Sequence, residues 1–354
     1  MKLFYLVGFD VHKSGGKSRA TRQKMNVLSS MGGDVEVLNF FPYKNIPIFL
    51  SLPLLEIYVF LLIFIKRPSG IISRGCVGFL PLLACRLLGI SYFREVHADI
   101  KDEVSLIRKG KFLLGIYKVV AEFTHFLDVN SESILFNHPL LLEKYCKKYS
   151  YSGNSFYSYN GYDTNFSVVE DLNNLRNKYN IPEGRVILSF TGSVSEWHGI
   201  DYIYEISKFL QNIAPEILIL VAGGKLPDNL RRENILNISP LDSTGCDEII
   251  QISHACLLPV KNNRVSPGSP LKLYDYIKYK AFVFAQEHTL GYSDEVLLYG
   301  NGILLDFSDT ESAARVIAAR CKSAFLKKDI DIIRFSWQAR MLAWIKFIEQ
   351  SNEC

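Results

Sequence analysis

The chain has 354 residues, 48% of them hydrophobic and 21% charged, with a net charge of +4. This is a globular composition with room for two domains of ordinary size, and its small charge gives no argument for a nucleic-acid partner. Residues 1–165 carry 20 Lys/Arg against 13 Asp/Glu, and the remainder is slightly acidic. A basic first half suits an anionic partner or an anionic membrane surface, and scattered solvated lysines produce the same count.

The seven cysteines (Cys76, Cys85, Cys146, Cys246, Cys256, Cys321 and Cys354) form no C-x-x-C pair. They read as buried free thiols in a reducing compartment rather than as metal ligands. The opening KLFYLVGF reads as a strand, not a signal peptide. HKSGGKSRA then forms a turn in which Gly15 and Gly16 leave backbone amides open to a phosphate or sugar, flanked by Lys17 and Arg19. The same residues also suit an ordinary tight turn. A helix over TRQKMNVLSSMG and a strand over DVEVLNF follow.

The most apolar segment runs from Ile46 to Pro68. Glu56, Pro47 and Pro53 interrupt it, leaving too short an apolar run to span a bilayer. It is expected as a buried or half-buried helix, or as one docked on a membrane with Lys66 and Arg67 at the headgroups. GIISRG (strand), GFLPLLACRLLG (helix) and SYFREVH (strand) come next. His97 then stands at a strand's carboxyl end, where parallel sheets bind ligands. The segment KGKFLLGIYKVVAEFTH reads as a helix, FLDVNSES as a strand ending in a polar turn, and SFYSYNGYD closes this half.

Near Thr164 the alternation restarts, with LNNLRNKYNIPEGR a polar helix and turn. VILSFTGSV and EILILVAGG are strands ending in Gly192-Ser193 and Gly223-Gly224, room for a flat base and ribose or simple turn chemistry. Trp197-His198 and Gly199 lead into the helix GIDYIYEISKFLQNI. ENILNIS is a short strand and DEIIQISHACLLPV a helix plus strand. In SPGSPLKLYDYI, Ser269 is expected as the N-cap and Pro270 as the first helical residue. The amides of Leu271 and Lys272 then lack helical partners and, with the helix dipole and the lysine charge, make an anion site. Asp275 lies one turn on from Leu271, so a ligand with a phosphate end and a hydroxyl end, such as a sugar nucleotide, can reach both. AFVFAQ and GNGILLDF are strands, and helices over ESAARVIAARCKSAF and 336–349 finish the chain. No G-x-S-x-G elbow, zinc spacing or H-E-x-x-H is present. The acidic run Asp99, Asp102 and Glu103 could suggest a metal, as could Asp329 and Asp331, of which the latter pair reads as solvated surface; metal ligation is not expected of either.

Taken in order, SGGKSRA, IISRG, ACRLLGISYFREVHAD, YNGYDTNF, FTGSVSEWHGIDYI, VAGG, SPLKLYDYIKYKAFVFA, GNGILLDFSD and FSWQARMLAW resemble the glycosyltransferase family 4 pattern. The resemblance spans most of the chain and implies an α/β fold of the GT-B type, two Rossmann-like domains facing each other across a cleft. The expected limits are 1–164 for an acceptor-binding domain and 165–335 for a nucleotide-sugar domain. A terminal helix, 336–354, returns toward the first. The family's Glu-x7-Glu would place carboxylates at 267 and 275; here they are Pro267 and Asp275, and the basic pair of the glycine loop is altered to Ser193 and His198.

The resemblance implies transfer of a sugar from a nucleotide diphosphate sugar to an acceptor hydroxyl with retained configuration. Leu271, Lys272 and the Gly15-Gly16 loop would stabilise the leaving diphosphate, with Arg264 and Arg19 as weaker candidates. Asp275 would hold the ribose hydroxyls, His97 the donor sugar, and Gly192, Ser193, His198, Gly223 and Gly224 the nucleotide side, beside Ser269 and Pro270 at the helix start. No metal and no cofactor is expected beyond the donor itself, and no nucleic acid. A lipid-linked glycan in bacterial O-antigen, capsule or exopolysaccharide synthesis is the expected acceptor. The protein would be cytoplasmic, peripheral on the inner membrane. Another GT-B enzyme, such as a sugar-nucleotide epimerase, and a non-catalytic nucleotide-sugar-binding relative stay open.

Overall fold

A computed structural model describes residues 2–13, 15–39, 48–105, 110–194, 198–261, 266–323, 325 and 330–353. The chain divides into two compact units. The first comprises Met1–Gly161, Val265–Ser269 and Ser336–Cys354, the second Tyr162–Arg264 and Pro270–Phe335.

The first unit is built on a parallel sheet of β1 (Lys2–Val7), β2 (Asp34–Leu38), β3 (Gly70–Arg74), β4 (Ser91–Val96), β5 (Ser133–Phe136) and β6 (Asn154–Tyr157). Its strand order is β2-β1-β3-β4-β5-β6. Its helices are α1 (Gly16–Ser30), α2 (Ile48–Lys66), α3 (Phe79–Leu88), α4 (Ile100–Ser105), α5 (Lys111–Val129) and α6 (Pro139–Tyr149). Strands β1, β3 and β4 bury Phe4, Leu6, Ile71 and Tyr92 against Leu55, Val59 and Ile63 of α2 and Leu82 and Cys85 of α3. Such near-continuous apolar strands are what a sheet covered on both faces demands.

Several boundaries differ from the sequence reading. Helix α1 starts at Gly16, inside the basic loop, because Ser18, Thr21, Met25 and Leu28 are buried at helical spacing. The strand expected over 126–133 is instead the last turn of α5 and a turn. Ala121, Thr124, His125 and Asp128 are buried at three- and four-residue intervals, and Arg94 holds Asp128 at 2.8 Å. That buried pair commits the segment to a helix, and the strand starts at Ser133. Helix α2 runs through Pro53 rather than stopping there. The proline lies near the amino end, where few backbone bonds are lost. Helices α4 and α6 were not anticipated; α6 starts on a His138 cap, whose Nδ1 accepts from Leu140 N at 3.1 Å. Of the described cysteines only Cys85 and Cys256 are fully buried, and Cys146 is exposed.

The second unit holds β7 (Val186–Gly192), β8 (Ile217–Gly223), β9 (Ile235–Ile238), β10 (Ala255–Leu258), β11 (Phe282–Gln286) and β12 (Gly302–Leu305). Their order is β12-β11-β10-β7-β8-β9, all parallel. The helices are α7 (Leu172–Lys178), α8 (Ile200–Ile213), α9 (Ser243–Ile252), α10 (Leu271–Lys278), α11 (Tyr292–Tyr299) and α12 (Thr310–Cys321). Along β8, Ile219 and Val221 pack with α8 and α12, while Leu218, Leu220 and Ala222 pack with α7 and α9. The alternation places one helical layer on each face, and the order reverses between β7 and β10, the switch point at which such sheets bind ligands. Helix α13 (Trp337–Glu353) belongs to the first unit, where Trp337 Nε1 donates to Gln23 Oε1 of α1 at 3.0 Å.

Candidate functional site

Next to the switch point of the second unit, β7 and its neighbour β8 end side by side with Gly192 opposite Gly223. Both have positive φ, 103° and 98°, which a side chain would strain. Gly224 N donates to Gly192 O at 3.0 Å, and a Cβ on Gly224 would lie 2.7 Å from Val194 N. The glycines let the two strand ends pack closely, with Lys272 Cε 3.0 Å and Cys246 Sγ 3.2 Å from where side chains on Gly192 and Gly223 would stand.

Lys272 of α10 reaches these ends. Its Nζ donates to Ser193 O at 3.4 Å and lies 3.8 Å from the Phe190 ring centroid, a cation–π contact. Burial pulls its ammonium down to about 7, against the opposing effect of Asp275 and Cys246. An arriving anion would restore the charge that burial weakens. Tyr276 fixes the helix in place: its OH donates to Leu257 O at 3.1 Å and accepts from Thr191 N at 3.3 Å.

The cap differs from expectation. Pro270 is the cap residue and Leu271 the first helical one, with no side chain capping. The Ser269 hydroxyl instead accepts from Asn160 N at 3.0 Å, and Ser269 O accepts from Asn160 Nδ2 at 2.7 Å. Committing Ser269 to Asn160 leaves the first-turn amides of Leu271 and Lys272 uncapped by it. Asp275, half-buried, stays one turn beyond Leu271. His198 is buried and packs edge-on against Phe190, 5.9 Å between centroids. Arg264 and Trp197 lie outside the described residues.

In the first unit Gly15 caps α1 with φ 136° and Gly16 starts the helix; Arg19, half-buried, follows in its first turn. His97 follows β4, its side chain 21% exposed. Its Nε2 donates to Glu95, and its Nδ1 accepts from Asn137 Nδ2 at 3.3 Å. Glu95 also accepts from Lys24 and from the Tyr5 hydroxyl. Burial would raise the Glu95 carboxyl, but Lys24, His97 and Arg74 hold it well below the usual range. Burial and Arg74 pull His97 down to about 3, against the opposite pull of Glu95, so the ring is neutral. Glu95, Lys24, Asn137, Phe190 and Tyr276 escaped the sequence reading. Nothing marks a buried Lys24 in sequence, whereas Phe190, two residues before a strand-end glycine, was within reach.

The expected membrane residues part company. Lys66 Nζ pairs with Glu36 at 2.7 Å, so its charge is met within the protein, whereas the Arg67 guanidinium stands over the Phe64 ring at 5.9 Å. Glu56 turns inward, where its carboxylate accepts from Gly78 N and Leu80 N at the amino end of α3. Leu54, Ile57, Tyr58, Leu61 and Ile65 are left exposed on α2. Among the described residues no helix is long and apolar enough to cross a membrane, and no three His, Cys, Asp or Glu side chains gather as a metal-holding group.

No family model matches the chain, and no curated protein matches it in sequence. Solved structures match over its whole length. Sucrose-phosphate synthase from Thermosynechococcus elongatus aligns with TM-score 0.68 and 14% identity, covering 100% of this chain and 98% of that one. WaaG, a glycosyltransferase involved in lipopolysaccharide biosynthesis, aligns with TM-score 0.66 and 13% identity, covering 100% and 99%. Anabaena HepE in complex with UDP and glucose aligns with TM-score 0.60 and 15% identity, covering 100% and 98%. At these identities the likeness establishes the fold, which is the α/β GT-B fold.

Proposed function

We propose that this chain is a retaining glycosyltransferase that moves a sugar from a nucleotide diphosphate sugar to an acceptor hydroxyl. One observation carries the reading: Lys272 is gathered with Gly192, Ser193, Gly223 and Gly224 at the ends of β7 and β8, next to the switch point of the second sheet. Half-buried strand ends without side chains suit a flat base and ribose, and a half-buried lysine at a helix amino end suits an anion. The two nucleotide-sugar features meet on one unit.

The reaction breaks the bond between the anomeric carbon and the diphosphate oxygen and forms one to the acceptor oxygen. The acceptor proton passes to the departing phosphate on the same face, so configuration is retained without an enzyme nucleophile. Lys272 and the amides of Leu271 and Lys272 offset the charge that grows on the leaving group. Asp275 accepts from the ribose hydroxyls. The Gly15-Gly16 loop and His97 serve the sugar and acceptor side in the first unit. HepE was solved with UDP and glucose and WaaG acts in lipopolysaccharide biosynthesis, which supports a nucleotide-sugar donor and a surface-glycan acceptor.

A lipid-linked acceptor calls for contact with a membrane. In addition to the apolar face of α2, helix α5 exposes Phe112 (80%), Val119 (70%), Leu113, Ile116 and Phe123, along a segment that carries Lys111 and Lys118. Apolar side chains bordered by lysines suit the interface of an anionic bilayer.

The test is to incubate the purified chain with UDP-, GDP-, ADP- and dTDP-sugars, with and without bacterial lipid extract. Nucleoside diphosphate release that requires the extract is expected. An isomerised sugar nucleotide formed without any acceptor would replace transfer with epimerisation. Binding without turnover under every combination would leave a non-catalytic relative. Phe112→Glu with Ile65→Glu should release the chain from anionic vesicles, and a folded variant that still sediments with them refutes the docking.

A further inference from the structure

At the carboxyl ends of β4, β5 and β6 lies a cavity of about 10 Å³ whose lining includes Lys24, Glu95, His97, Asn137, Ser158 and Trp344. Two polar atoms on its lining residues, Asn137 Oδ1 and Trp344 Nε1, have no partner among the described residues. Both side chains are more than nine-tenths buried, with Asn137 7% and Trp344 3% exposed. One atom is an acceptor and the other a donor. A single oxygen that both donates and accepts satisfies the two together, and a space of this order, about 10–15 Å³, holds one water.

We infer that this cavity holds a resident water that donates to Asn137 Oδ1 and accepts from Trp344 Nε1, making Asn137 and Glu95 positioning residues that hold His97 in one orientation with its proton on Nε2. The bonds run in one direction. Trp344 on α13 donates to the water, the water donates to Asn137, Asn137 Nδ2 donates to His97 Nδ1, and His97 Nε2 donates to Glu95. Glu95 is in turn charge-balanced by Lys24 of α1 and bonded by Tyr5 of β1, with Arg74 of β3 as a further nearby cation. Ser158 and Asn160 after β6, with Trp337 and Trp344 of α13, close the remaining sides with uncharged groups.

With both ring nitrogens engaged, His97 has neither a free proton to give nor a free lone pair to take one. Toward a ligand it offers its ring edge and its backbone. In the reaction proposed above, and resting on that reading, His97 thus shapes the sugar's seat and performs no acid or base step.

Two measurements on the full-length, ligand-free chain test this. Ring nitrogen NMR should show His97 neutral, with the proton on Nε2, from about pH 5 to about pH 8. Asn137→Asp should bring its titration into that window, because a carboxylate facing Nδ1 stabilises the imidazolium. A wild-type ring that titrates there, carries its proton on Nδ1, or is unchanged in Asn137→Asp overturns the positioning role. A high-resolution crystal structure should show one ordered oxygen between Asn137 and Trp344, lost in Trp344→Phe, which keeps the ring packing and removes the N–H. An oxygen that persists unmoved in that variant overturns the bond from Trp344, and no oxygen in the wild type, or one seen only when a sugar is bound, overturns the resident water. Neither measurement uses a substrate, so failure here is separate from failure of the transferase reading.

Discussion

Replacing Lys272 by methionine keeps an apolar stem over Phe190 and removes only the ammonium. A charged hydrogen bond to a buried anion contributes about 1.5–3 kcal/mol, so the variant should bind a sugar nucleotide roughly ten- to a hundred-fold more weakly. The depressed lysine adds a signature that simple weakening lacks. Its midpoint falls from 10.5 to about 7 in the free protein. Binding a diphosphate needs the charged form, so above about pH 7 each binding event takes up one proton. The dissociation constant should then rise about tenfold per pH unit above 7 and be flat below it. The same depression sets a stability trend of opposite sense. Between about 7 and 10.5 the unfolded chain holds the proton that the folded one has lost, so unliganded stability rises with pH across that window. Lys272→Met should abolish the first trend and lower the slope of the second by one proton, leaving the part contributed by Lys17 and Lys24, which burial also pulls down, to about 8. Calorimetric titration with an intact sugar nucleotide, whose diester oxygens do not titrate here, measures the first, and urea midpoints the second. A wild-type affinity independent of pH, or an identical slope in the variant, refutes the anion-site reasoning.

Asp275→Asn should weaken binding of a ribonucleotide sugar by roughly tenfold or more and leave its 2′,3′-dideoxy analogue almost unaffected, since a charged acceptor for the ribose hydroxyls is lost; equal losses for both exclude a ribose contact. Gly224→Ala forces a Cβ to 2.7 Å from the Val194 amide. Backbone must shift, at about 1–3 kcal/mol, and nucleotide affinity should fall with it; an unchanged affinity would mean these strand ends do not meet the ligand. Glu56→Ala strips the carboxylate from the first turn of α3 and should cost about 1–2 kcal/mol in urea unfolding without altering nucleotide binding.

Strand and helix alternation was readable because a parallel sheet covered on both faces needs short apolar runs separated by amphipathic helices. Strands β1, β3, β4, β7, β8 and β11 fall where their Val-, Ile-, Leu- and Phe-rich runs predict. The misreading at 126–133 has the same physical root. Leu127 and Val129 look strand-like in isolation, and only the buried partnership of Asp128 with Arg94 and Tyr145 draws the segment into α5. Local turn chemistry anticipated a helix start near Pro270 but not which residue caps it, because Ser269 is recruited by Asn160, 109 positions away.

Gly192, Gly223 and Lys272 could be named from local sequence, since each is set by a turn or a helix end within a few residues. Their meeting could not, because it depends on β7 and β8 pairing in register and on Tyr276 seating α10 against β7 and β10. The support beneath His97 was wholly illegible. Tyr5, Lys24 and Glu95 come from three separate elements and Asn137 from the turn after β5, and a buried Lys24 is tolerable only where folding delivers the Glu95 carboxylate to it. Residue type and spacing set which groups stand at strand ends. Long-range packing alone selects which of them share a low-dielectric pocket, and there the charge state of Lys272 and the proton position on His97 are decided.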